Sequence, residues 1–336
     1  MIKAGFVSNI PTWHWIRQFP QPAPVWGDVL FQFDGDLESC DVVFVFDGIP
    51  EELSGRLNPR LAVFVASEPA NVKSYLSGFL SQFGSVLTTD RATRHPQTAF
   101  GQVGLPWHVG AWSNSGALLD KPLGFADFET FNPPKTKLVS VVASNKAFTP
   151  EHRERLDFVR KLKDYFGAEV DVFGRNINGF GDKTEVLSDY RYHIALENCS
   201  YADYWTEKLA DPFLTLTYPI YHGCPNIEQY FSPGALTQID IYDFDSAIRS
   251  IKAVIESDLA ETAQPALVAA RRRVLYDHNL FAILAKMARQ LKDEGKSRPP
   301  SAAGIRWEKD FDPNRGRLSK RIRQKTRKLV RWVTGG

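Results

Sequence analysis

YRYHIALENCSYADYWTEKLADPFLTLTYPIYHGCPNIEQYF, residues 190–231, is the stretch from which the fold can be read. Tyr192 to Leu196 reads as a buried strand ending at Glu197-Asn198, a polar loop follows, and a helix is expected to begin near Tyr204. Pro219 to Tyr221 reads as the next strand. Strand, helix and strand in that order form a βαβ crossover, and crossovers build parallel sheets. Ligands of open parallel sheets bind beyond the carboxyl ends of strands, where loops turn into helix N-termini. With a helix starting near Tyr204, Tyr204, Glu207 and Lys208 fall at i, i+3 and i+4 and are expected on one face of its first turn. A phenol, a carboxylate and a cation there suit a nucleotide diphosphate carrying a sugar: Lys208 neutralises phosphate and Glu207 accepts hydrogen bonds from hydroxyls. The same spacing also describes an ordinary solvated helix start. Gly223, Pro225 and Asn226 mark a tight turn that brings the chain close to whatever fills the cleft.

Outward from this unit the alternation continues. Val42 to Phe46, Leu61 to Val65, Ser85 to Leu87, Leu138 to Val142, Val170 to Phe173 and Leu236 to Ile241 read as further strands. Helices are expected from Pro150 (with Thr149 as cap), over Phe244 to Ile255, and as one element over Pro265 to Leu291. The Gly-, Pro-, Asn- and Ser-rich stretch 112–137 divides the strands into two groups. The fold class is therefore α/β, with two Rossmann-like, doubly wound domains facing across a cleft. The expected division is residues 1–135, 136–295, and a linker with a basic tail over 296–336.

The quoted block resembles the signature of glycosyltransferase family 10, the GDP-fucose-dependent α1,3/4-fucosyltransferases. Leu196-Glu197-Asn198 matches the family's F-E-N, Tyr204 to Lys208 its Y-x-T-E-K, and Pro219 to Phe231 its P-x-Y-x-G-x-P-N-I-x-x-Y-F run. Residues 141–174 are similar to the family's donor-domain entry, which puts its phosphate-binding arginine on Arg155, or on Arg153 if the helix register slips. An arginine fork can hold two phosphate oxygens at once. Leu61 to Tyr75 resembles the strand that ends in E-S-P, whose glutamate is the proposed general base; here it falls on Glu68, with Ser67 before it instead of after. Thr88 to Arg91 echoes a second N-terminal loop.

The resemblance implies the GT-B architecture. It also implies GDP-fucose as donor, held by Arg155, Asn198, Tyr204, Glu207 and Lys208. The acceptor would be a glycan, N-acetylglucosamine in α1,3 linkage on a bacterial surface glycan such as lipopolysaccharide. The family inverts the anomeric centre. No cofactor and no metal are expected, and no D-x-D run adjoins the donor motif. The alternatives are a transferase using another nucleotide sugar, or a non-catalytic nucleotide-sugar or glycan-binding protein at a membrane.

Composition is that of a globular protein, 43% hydrophobic and 24% charged over 336 residues. No apolar run approaches the ~20 residues that cross a bilayer. Three scattered cysteines supply neither a disulfide framework nor a zinc site. The seven histidines show no metal-ligand spacing; His193, on an apolar strand, reads as a core residue, while His222 adjoins the signature turn. The net charge of +2 conceals an asymmetry: nine cations follow Asp312 with no acid among them, and the rest carries 32 basic against 39 acidic side chains. Nothing in the acidic body suggests a nucleic-acid surface, which weakens nucleic-acid binding as a competing reading of the tail. Leu318, Ile322, Leu329, Val330 and Val333 recur at roughly helical spacing among the tail's cations, a pattern suited to an anionic membrane face. The expected location is cytoplasmic, at the periphery of the inner membrane face.

Overall fold

The computed structural model describes residues 1–69, 71–143, 150–174, 177–293 and 304–312. Two sheets organise them. The first runs β2 (Val25–Trp26), β3 (Val29–Gln32), β1 (Ile2–Ser8), β4 (Val42–Phe46), β5 (Ala62–Val65), β6 (Ser85–Thr88), β7 (Thr98–Phe100); only the β2–β3 pair is antiparallel. The second, entirely parallel, runs β12 (Thr237–Gln238), β11 (Tyr218–His222), β10 (Tyr190–Leu196), β8 (Lys137–Val142), β9 (Val170–Phe173). Both sheets reverse direction of winding, at β1/β4 and at β8/β10, so each presents a crevice beyond its strand ends. The strands pack as continuous apolar runs; every residue of β4 and β5 is buried, as parallel sheets covered on both faces require.

The expected strands appear, with β6, β8, β10 and β11 slightly longer and β5 one residue shorter; the eighth, Leu236 to Ile241, shrinks to Thr237–Gln238. Sequence reading missed β1, β2, β3 and β7. The single helix expected over Pro265 to Leu291 is three pieces: Gln264–Arg272, a π-turn over Arg273–Asp277, and Leu280–Asp293. Buried Asn279 makes the break: its Oδ1 accepts from Phe281 N at 2.9 Å and its Nδ2 donates to Gln18 O at 2.8 Å. The break redirects the chain. Leu280, Phe281, Leu284, Ala285 and Ala288 join Phe6, Phe31 and Phe44 in the core of the first sheet, so this helix, grouped by sequence order with 136–295, packs in the first domain. Part of the expected linker does the same. Ile305 pairs with Gly55 and Leu57 through backbone hydrogen bonds of 2.7 and 3.1 Å, and Trp307 and Phe311 pack on the first domain's core. Thr149 and the basic tail from 313 onward lie outside the described residues.

The segment joining the sheets is held by buried Arg17. Its Nε donates to Leu123 O at 2.7 Å, its Nη1 to Trp107 O at 3.0 Å, and its Nη2 to Val109 O. Across the crevice, Tyr201 donates to Asp90 at 2.9 Å, Arg91 pairs with Asp203, and Gln102 Nε2 donates to Trp205 O at 2.7 Å. The Thr88 to Arg91 loop, which had no assigned part, is thus a contact between the two domains.

Candidate active site

The β8/β10 crevice opens into a cleft of about 340 Å³. All six singled-out side chains line it: Glu68 from the first domain, and Arg155, Asn198, Tyr204, Glu207 and Lys208 from the second. His108, Lys183, His193 and Thr206 complete its polar wall.

The β10 end builds most of this. The helix begins at Glu207, with Thr206 as cap, and not near Tyr204. Two features set that start. Asp203 adopts a left-handed backbone (φ +63°), fixed by Asn226 and Tyr230, and Glu197 takes both Thr206 donors, N at 2.7 Å and Oγ1 at 2.8 Å. Thr206 Oγ1 in turn accepts from Lys208 N at 3.2 Å. Tyr204 therefore precedes the helix and does not share a face with Glu207 and Lys208. Its hydroxyl instead donates across the cleft to Glu68 Oε2. Gly223 explains itself here: a Cβ would fall 2.4 Å from Glu197 Cγ and 2.5 Å from the Tyr221 hydroxyl.

Charges are densely coupled. Lys208 Nζ lies 3.2 Å from Glu207 and 3.6 Å from Glu197. Burial opposes its charge, but those two carboxylates raise its pKa. Glu207 also meets Lys183 at 3.6 Å and His108 at 3.8 Å. Burial pushes its carboxyl up, yet Lys208, Lys183 and His108 together hold it well below the usual range, so it is ionised. Lys183 is itself anchored by buried Asp211 at 2.7 Å. Glu68 shows the opposite balance: burial raises it, assisted by Glu207 and Asp47, while Tyr204 and Lys208 pull it down.

Arg155 is 3% exposed, whereas Arg153 points outward, so the helix register favours Arg155. Its Nη1 donates to Asn198 Oδ1 at 2.6 Å. Nε and Nη2 are buried with no partner among the described residues. Burial lowers its pKa, against Glu197 and Glu207. A buried cation with unused donors is a costly arrangement unless an anion arrives.

His193 lines the cleft, but burial lowers it to about 3, so the ring is neutral. The Ser140 hydroxyl donates to Val186 O at 2.6 Å, so His193 Nδ1 carries the proton that Ser140 accepts at 2.8 Å. His222 faces Ile239 O at 3.2 Å and does not line the cleft. Among the described residues no group of three or more His, Cys, Asp or Glu side chains could hold a metal ion. The glutamate before Asn198, and Lys183 and His108, were missed as site residues. Glu197 stands inside the L-E-N match and could have been found; Lys183 and His108 belong to no recognisable spacing.

Residues 132–259 match the model of the glycosyltransferase family 10 (fucosyltransferase) C-terminal domain. That match covers 128 of the 336 residues. Over 124 residues the chain is 32% identical to an alpha-(1,3)-fucosyltransferase of Helicobacter pylori, covering 36% of this chain and 25% of that protein. A 4-galactosyl-N-acetylglucosaminide 3-alpha-L-fucosyltransferase of Pongo pygmaeus is 27% identical over 205 residues, 60% of this chain and 48% of the relative. The chain thus spans between a quarter and about half of these relatives. Among solved structures, an alpha1,3-fucosyltransferase with GDP-fucose aligns over 89% of this chain and 91% of its own, with a TM-score of 0.50 and 18% identity. The same enzyme with GDP gives 87% and 90% coverage at the same score. That likeness confirms the two-domain GT-B fold.

Proposed function

We propose that this protein is a member of glycosyltransferase family 10 and an inverting fucosyltransferase that moves fucose from GDP-fucose to a glycan hydroxyl. The reading is carried by one observation: a carboxylate of the first domain and the donor-motif residues of the second line the same cleft, with two Arg155 nitrogens unpartnered there among the described residues. Relatives named as fucosyltransferases, and solved neighbours holding GDP or GDP-fucose, support the donor.

In this reading the acceptor hydroxyl attacks the anomeric carbon from the first-domain side. Its oxygen forms the new bond, and its proton passes to the Glu68 carboxylate. The bond from the anomeric carbon to the phosphate oxygen breaks, and GDP leaves with that electron pair. Arg155, Lys208 and the N-terminus of the Glu207–Leu214 helix meet the charge that builds on the diphosphate. Glu207, ionised and facing the cleft, accepts from hydroxyls of the ribose or the sugar. The raised Glu68 suits a base working near neutral pH. The acceptor is proposed to be N-acetylglucosamine, at O3, in a bacterial surface glycan such as lipopolysaccharide. The basic tail is proposed to hold the protein at the cytoplasmic face of the membrane.

Calorimetry with GDP-fucose, other GDP-sugars and UDP-sugars, followed by a glycan-array transfer assay, tests the proposal. Preferred GDP-fucose binding with α-fucoside product supports it. Tight binding of another nucleotide sugar overturns the donor, and donor binding without transfer to any glycan overturns catalysis.

A further inference from the structure

Glu68 lies on a loop, and loops place side chains accurately only when something fastens them. The fastening is visible at Asp47, the first residue after β4. Asp47 is one of three described non-glycine residues with positive φ, at +63°. Such a backbone persists in a non-glycine residue only where its surroundings over-determine it.

The Asp47 carboxylate collects donors from both flanks of Glu68. Ser67 Oγ, immediately before it, donates to Oδ1 at 2.7 Å. The Tyr75 hydroxyl donates to the same oxygen. Lys73 Nζ donates to Oδ2 at 2.9 Å and to the Asp47 carbonyl at 3.1 Å. Asn9, from the end of β1, reaches Oδ2 at 3.4 Å. Lys73 Nζ also stands 4.8 Å over the Tyr75 ring, which packs edge-on against Phe64 of β5. Asp47 N closes the frame by donating to Val65 O at 2.9 Å. One carboxylate thus clamps positions 67, 73 and 75 while leaving Glu68 free to project into the cleft, where Tyr204 meets it.

We propose that Asp47 is a positioning residue that locks the Glu68 loop so that the Glu68 carboxylate stands at the acceptor side of the cleft. The inference rests on the reading of Glu68 as the base. It does not follow from any recognised motif, because the clamp joins the ends of two strands that sequence reading treated separately.

The full chain serves for the test. Asp47→Asn keeps the side chain's size and tolerance of the left-handed backbone but removes the charge that Lys73 pairs with. Tyr75→Phe and Ser67→Ala each remove one donor and leave Asp47 intact, so the test survives if Asp47→Asn fails to fold. Steady-state GDP-fucose transfer, GDP calorimetry and hydrogen–deuterium exchange over residues 66–76 are measured on each. A displacement of about 1 Å at a reacting group can cost about 100-fold, so kcat is expected to fall about 10–100-fold in Asp47→Asn. Donor KM and GDP affinity should stay within about twofold, because the donor residues belong to other elements. Exchange should quicken over 66–76 alone. In a Glu68→Gln background the same substitution should lower kcat no further. Parental kcat or unchanged exchange in the folded variant overturns the proposal, as does an equal loss of GDP affinity. If the parental protein transfers nothing from GDP-fucose, the functional reading fails on its own, and the exchange data still decide whether Asp47 clamps the loop.

Discussion

Arg155→Met separates a binding site from a structural ion pair, because its two effects have opposite sign. Arg155 is 3% exposed and its guanidinium has five N–H donors, of which the described residues engage Nη1 through Asn198. Each unsatisfied buried polar group costs about 1–3 kcal/mol, so Nε and Nη2 together cost about 2–6 kcal/mol. Losing the Asn198 hydrogen bond returns about 1 kcal/mol of that. Methionine fills the space flexibly without a charge. The nucleotide-free protein is therefore expected to gain about 1–5 kcal/mol, seen as a rise of several degrees in Tm by calorimetry. Nucleotide binding should move the other way. Two charge-assisted hydrogen bonds to phosphate at about 1.5–3 kcal/mol each correspond to GDP binding about 10²–10⁴-fold weaker. Titration calorimetry reads this directly. A variant that loses Tm while holding GDP within about threefold would show that Arg155 supports the fold and not a ligand.

Five further outcomes are expected. Glu68→Gln should lower kcat about 10²–10⁴-fold in a transfer assay while GDP calorimetry stays unchanged; wild-type-like turnover removes Glu68 from the chemistry. Burial raises the Glu68 carboxyl and a base must be deprotonated, so kcat/KM should fall as pH drops through a limb above the ordinary glutamate value of about 4.3. Tyr204→Phe removes the donor that favours the ionised form and should move that limb to still higher pH; a limb that stays put refutes the pairing. Gly223→Ala drives a methyl into Glu197 and Tyr221 and should cost about 1–3 kcal/mol in urea unfolding, with no cost if the turn simply relaxes. Truncation after Asp312 should release the protein from anionic vesicles in co-sedimentation while soluble-acceptor activity persists; retained vesicle binding refutes the membrane role of the tail.

The parallel strands were legible wherever burial on both faces made them continuous apolar runs, as in Val42–Phe46. β1 hid because Gly5 and the flanking Lys3 and Ser8 interrupt its pattern, and β7 because three edge residues are too few to set up a period. The break at Asn279 depends on a tertiary bond to Gln18, more than 250 residues away, so periodicity alone runs through it. At the site, Arg155 could be matched because it lies on a helix with a fixed register. The start of the Glu207–Leu214 helix was misjudged because Glu197, nine residues upstream, decides which residue becomes the cap. Lys183, on the β9–β10 connection, and His108, on the segment joining the two sheets, meet Glu207 only through tertiary packing, which no local pattern encodes.

The helix Leu280–Asp293 and the strap around Ile305 make the first-sheet domain a discontinuous body, assembled from two separate stretches of the chain. Anyone wishing to graft that domain onto a relative would have to transplant the two pieces together. A chimera joined once near residue 135 would leave the first sheet without Phe281 and Leu284 and would carry the wrong cover for its own core. Loops at the strand ends can be exchanged without disturbing that shared core, whereas whole halves cannot.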